Sequence, residues 1–135
     1  MITHSAAKTV LVVDDCESIC ELIGLLLVRV GYHVRTATTA AGAIRIAHEL
    51  PELDVALCGL DLPDMEGAEL AVELSALHPS TAIVFVSASY KPNDSTGPFG
   101  VLQKPFTIAE LRSVVSSTLR ASQRRLQSGV ALVPA

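Results

Sequence analysis

Two periods alternate along this chain, and the alternation limits its fold more than any other feature. Residues 8–13 (KTVLVV), 33–37 (HVRTA), 54–58 (DVALC), 81–88 (TAIVFVSA) and 101–103 (VLQ) are short, apolar and rich in β-branched side chains, as buried strands are. Helical spacing fills the gaps between most of them. Ile19, Leu22, Ile23, Leu26 and Val30 recur at three and four within 17–31, and Gly31 stops that helix. Residues 40–50 form a second helical segment ended by Pro51, and Leu70, Ala71, Leu74 and Leu77 mark a third. The last runs from Thr107 to about Gln123, with Ile108, Leu111, Val114, Val115 and Leu119 on one stripe. Its first turn, TIAE, is a capping box.

Strand and helix in turn, through five strands, imply an α/β fold: a doubly wound parallel sheet with helices on both faces. Right-handed crossovers leave few topologies, and 2-1-3-4-5 is the common order at this length. Sites in such sheets lie at the carboxyl ends of the strands, beside the switch between strands 1 and 3. Asp14, Asp15, Gly59, Asp61, Ser87 and Lys104 all fall at or just after strand ends and are expected to share one pocket.

Residues 89–100 break the pattern. Pro92, Asn93, Asp94, Ser95, Thr96, Gly97 and Pro98 are turn formers, so the fourth helix is expected to be shortened or missing. The chain divides into an N-terminal tail (1–7), one domain (8–121), and the end of the last helix with a flexible tail (122–135).

Charge narrows the class of partner. No Lys or Arg occurs between Arg45 and Lys91, an interval with eight acids, which argues against direct nucleic-acid binding. Arg112, Arg120, Arg124 and Arg125 follow Glu110 and suit a helix C-terminus. No apolar run approaches the roughly 18 residues of a membrane span. An odd set of cysteines (Cys16, Cys20, Cys58), without disulfide-framework spacing, suggests a reducing, cytoplasmic setting and small apolar roles. The histidines show no ligand spacing, and His33 and His78 are expected to be solvated.

In order, VLVVDD, PDMEG (63–67), VSA and QKPF (103–106) resemble the receiver domain of two-component response regulators over roughly residues 8–121. That resemblance implies a flavodoxin-like fold, a magnesium ion held by Asp15 directly, by Asp14 through water and by the carbonyl of Asp61, and a phosphate switch through Ser87 and Lys104. It also implies a cis peptide before Pro105. Phosphoryl transfer of this kind is positioning and charge neutralisation.

One position departs. The family's phosphoacceptor aspartate lies four residues before the loop proline and five after the acid that opens the third strand. Counting from Pro63 and from Asp54 gives the same place, and Gly59 stands there. Glycine offers no nucleophile. The signalling aromatic three residues before the lysine is also replaced, by Val101.

The resemblance therefore implies a stand-alone receiver domain in phosphorelay signalling that is not phosphorylatable, is not an enzyme, and acts by protein contact. Its partners would be a sensor histidine kinase or a downstream regulator, with a homodimer as a further arrangement and magnesium binding weakened. The first alternative is an active receiver phosphorylated on Asp61, two residues along the same strand face. That is about 6.6 Å of travel, and a misplacement of about 1 Å already costs on the order of 100-fold. A doubly wound hydrolase or phosphatase is remote, because such enzymes need acids two residues apart and Asp14 and Asp15 are adjacent. A nucleotide-binding module lacks its glycine-rich loop.

Overall fold

The computed structural model describes residues 7–88 and 100–127, with backbone only for 125–127. In chain order the elements are β1 (Thr9–Val13), α1 (Glu17–Val30), β2 (His33–Ala37), α2 (Ala40–Glu49), β3 (Val55–Gly59), α3 (Gly67–Leu77), β4 (Ala82–Ser87), β5 (Gly100–Gln103) and α4 (Ile108–Gln127). The strands form one sheet in the order β2-β1-β3-β4-β5, and every pairing is parallel. This is the expected doubly wound fold. The expected shortening of a helix between β4 and β5 falls on residues 89–99, outside the described residues.

Alternation along the strands divides the core in two. Leu11, Val13, Ala56, Cys58, Ile83 and Phe85 face α2 and α3, while Val10, Val12, Val55, Leu57, Val84 and Val86 face α1 and α4. Central strands β3 and β4 are buried along their whole length, which is why they read as continuous apolar runs rather than alternating ones.

The helix ends follow local chemistry. Gly31 closes α1 in the left-handed region at φ 109, where only glycine is at ease, and its amide and the next return to Val28 and Leu27 carbonyls. The TIAE box opens α4 reciprocally: Thr107 N donates to Glu110 Oε1 at 2.9 Å and Glu110 N to Thr107 Oγ1 at 3.0 Å.

Asp54 lies at the amino-terminal edge of the sheet. Its carboxylate accepts from Thr9 N at 2.8 Å, while its backbone bridges Thr9 and Ala82. Helix α4 runs to Gln127, past the expected end near Gln123. Ser122, expected near the start of a frayed tail, is buried, and its hydroxyl donates to the Ser80 carbonyl at 3.0 Å.

Two single-residue expectations need correction. His78 is only partly solvated: its Nε2 sits 2.8 Å from the Ala47 carbonyl, tying the end of α3 to α2. Cys16 is exposed, whereas Cys20 and Cys58 are buried as small apolar residues should be.

Candidate functional site

At the carboxyl ends of the strands the parallel ladder continues one step beyond the sheet. Asp14 N donates to the Ala37 carbonyl, Leu60 N to that of Val86 and Lys104 N to that of Ser87, at 3.2, 3.2 and 2.9 Å. These bonds fix the backbone after β1 to the end of β2, and that after β3 and after β5 to the end of β4, so all three segments lie at one edge of the sheet. The Lys104–Pro105 peptide is cis, as the resemblance implied.

Asp14 is the buried acid of this corner, with only 2% of its surface exposed. Both its oxygens are engaged. Oδ1 accepts from Cys16 N at 2.9 Å, and Oδ2 pairs with Lys104 Nζ at 2.7 Å. Its backbone carbonyl accepts the thiol of Cys20 at 3.3 Å. A charge buried this deeply is tolerated because it is both paired and hydrogen-bonded.

Gly59 ends β3 beside Asp14. A Cβ built on it would stand 3.7 Å from Asp14 Cα, 3.3 Å from the Val13 carbonyl oxygen and 3.5 Å from Leu62 Cδ2. The residue counted from Pro63 and Asp54 is thus the one adjoining the buried acid, and it carries no side chain. Gly67 explains why α3 can start so near: its amide donates to the Leu60 carbonyl at 2.8 Å, and a Cβ there would run into the Gly59 carbonyl. Ser87 is buried at the end of β4.

Asp15 and Asp61 are exposed. Asp61 forms an isolated antiparallel bridge with Glu66 across the loop. Among the described residues no three acid, histidine or cysteine side chains converge as a metal site. Magnesium requires near-octahedral oxygen ligands. The donors fit it poorly, because both oxygens of the buried acid have partners and position 59 supplies no carboxylate.

The sequence reading missed Asp64 within PDMEG. Its carboxylate accepts from Ala40 N at 2.8 Å and Ala41 N at 3.0 Å, capping α2 from another loop. The amides of Ala41 and then Ala40 hold its carboxyl below the usual carboxylate range. Thr39 adds a local cap, its Oγ1 accepting from Gly42 N at 3.0 Å. The Thr39 cap follows from local sequence, but the Asp64 cap spans more than twenty residues and has no local signal.

Comparison with known proteins agrees with this geometry. The family model of the response regulator receiver domain matches residues 10–116. The chain is 36% identical over 121 residues to the transcriptional regulatory protein KdpE of Mycobacterium tuberculosis, covering 86% of this chain and 51% of that one. It is 33% identical over 124 residues to the sensor kinase CckA of Brucella abortus, covering 85% and 13%. The chain thus corresponds to one segment of these longer relatives. Among solved structures it is similar to the chemotaxis protein CheY4 of Vibrio cholerae, with 28% identity, a TM-score of 0.76 and coverage of 84% and 99%. It is also similar to a receiver domain from Methanospirillum hungatei, with 27% identity, a TM-score of 0.79 and coverage of 88% and 98%. The chain belongs to the receiver-domain family of two-component response regulators.

Proposed function

We propose that this receiver domain does not accept phosphate at the usual position and signals by protein contact. The observation that carries this reading is Gly59, which adjoins the buried Asp14 at the end of β3 and has no nucleophile. Ser87 and Lys104 occupy the family's switch positions, but no acyl phosphate forms at Gly59 for them to sense. Magnesium, which the family uses at this place, is held weakly if only Asp14, Asp15 and the Asp61 carbonyl are offered. The domain has no catalytic activity of its own.

Exposed apolar surface supports a role in contact. Leu22, Leu25 and Val28 of α1 are 48%, 52% and 55% exposed. Beside them, Ile19, Leu22, Pro105 and Phe106 line an apolar depression next to Lys104. The proposed partner is a sensor kinase or a downstream regulator, with self-association as the other arrangement. Free cysteines suit a reducing, cytoplasmic setting, and among the described residues no helix is long and apolar enough to cross a membrane.

Exposure to acetyl phosphate and magnesium, followed by intact-mass measurement in acid, tests the reading. The expected spectrum shows no gain of one phosphoryl mass. A gain that disappears in Asp61→Asn would transfer the acceptor role to Asp61 and overturn it.

A further inference from the structure

We infer that Lys104 is the resident cation of this pocket, standing on Asp14 in the place of a divalent metal, so that the domain is insensitive to magnesium. The inference rests on the vacancy at Gly59, as the proposed function does, but it concerns the charge balance of the site rather than phosphoryl transfer.

In a pocket with an acid at position 59, one lysine would face two neighbouring carboxylates, and a metal would be needed to offset their repulsion. Here the second carboxylate is absent. Lys104 Nζ pairs with Asp14 Oδ2 at 2.7 Å, and the side chains are 25% and 3% exposed. The other oxygen, Oδ1, is held by Cys16 N at 2.9 Å. One buried negative charge is thus matched by one tethered positive charge and one amide. Leu62 Cδ2 lies 3.5 Å from where a side chain at 59 would begin, so part of the vacated wall is apolar.

A dipositive ion entering this corner must detach the ammonium from Asp14 or sit beside it. Either costs more than binding to an open carboxylate pair, because the ammonium repels the ion at short range and through little water. The tether also gives a role to a lysine that has no phosphoryl group to pair with: its backbone amide is fixed to Ser87 O at 2.9 Å at the end of β4, and its side chain reaches Asp14 after β1. The remaining acids, Asp15 and Asp61, are exposed and bind an ion only as surface carboxylates do.

The test is a magnesium titration of the full chain, read by melting temperature and by calorimetry, in wild type, Lys104→Gln and Lys104→Arg. Wild type is expected to melt at the same temperature in chelator and in millimolar magnesium, since a ligand raises stability only by binding the folded state. Lys104→Arg, which keeps the charge, should remain insensitive. Lys104→Gln frees a buried carboxylate beside Asp15 and should bind magnesium about tenfold more tightly or better. Manganese broadening of the Asp14 to Cys16 amide signals gives the location: weak in wild type, strong in Lys104→Gln. Should Lys104→Gln fail to fold, the wild-type titration decides alone. A magnesium-dependent rise in the wild-type melting temperature that is lost in Asp14→Asn would overturn the inference. Phosphorylation on Asp61 with no such rise would instead overturn the proposed function and leave this inference standing.

Discussion

Gly67 and Gly59 meet backbone to backbone: a Cβ on Gly67 would strike the Gly59 carbonyl, whereas a Cβ on Gly59 would meet nothing closer than the Val13 oxygen at 3.3 Å. The two glycines bordering the site therefore differ in kind. One is required by the approach of α3 to the end of β3, and the other is replaceable.

Gly67→Ala should lower stability by about 1–3 kcal/mol or more, because the neighbouring atoms are main chain and cannot yield. Gly59→Ala should change it by less than about 1 kcal/mol, the slight crowding being offset by the gain of a strand residue over glycine. Denaturant midpoints of the two variants, measured side by side, check the contrast. Equal losses would mean that the two positions are equally confined.

Gly59→Asp should fold and should acquire both magnesium affinity and a phosphoryl group from acetyl phosphate. The Cβ of the new side chain would stand 3.7 Å from Asp14 Cα, and its carboxylate would add a second acid to the one Lys104 now neutralises. Calorimetry and intact-mass spectra follow the two gains. Unchanged metal binding would show that position 59 and Asp14 do not act on a common ion.

Asp64 should stabilise the protein at neutral pH and cease to do so in strong acid. Its folded carboxyl titrates below the unfolded one because the amides of Ala41 and Ala40 favour the charged form. Stability from a depressed carboxylate is present above the unfolded pKa, and it is lost as pH falls through the folded one. Asp64→Ala should therefore melt below wild type near neutrality, and the gap should close on acidification. A gap that persists when the carboxyl is protonated would point to packing instead of charge.

The cysteines should differ in reactivity by location. Burial pushes the Cys58 thiol up to about 12, and burial, ahead of its other influences, raises Cys20 as well. Cys16 is exposed at the start of α1. An alkylating reagent should label Cys16 in the native protein and reach Cys58 only on unfolding, as peptide mapping would show. Because folding raises the Cys58 value from 9.0, its neutral thiol favours the folded state fully below pH 9.0, and that share is lost as pH rises through about 12. Rapid native labelling of Cys58 would mean that β3 is open to solvent.

Sequence alone determined the elements, because each rests on local rules. A β-branched run such as residues 82–87 suits only a buried strand, Gly31 closes α1, and Thr107 with Glu110 opens α4. The 2-1-3-4-5 order followed from the alternation and the handedness of crossovers. The place of Gly59 came instead from counting from Pro63 and Asp54 against the pattern of the family the chain resembles, and the sheet sets it one residue beyond Cys58, which pairs with Val13 at the end of β1.

Tertiary structure decided what the side chains do on arrival. No local pattern says that Lys104 pairs with Asp14, that Asp64 caps a helix twenty-four residues earlier, or that His78 reaches the Ala47 carbonyl. Each of these contacts joins residues remote in the chain, and each depends on which elements the packing brings together. Exposure likewise separated Asp14 from Asp15, adjacent and identical in sequence: the first is buried and must be neutralised, while the second remains in water.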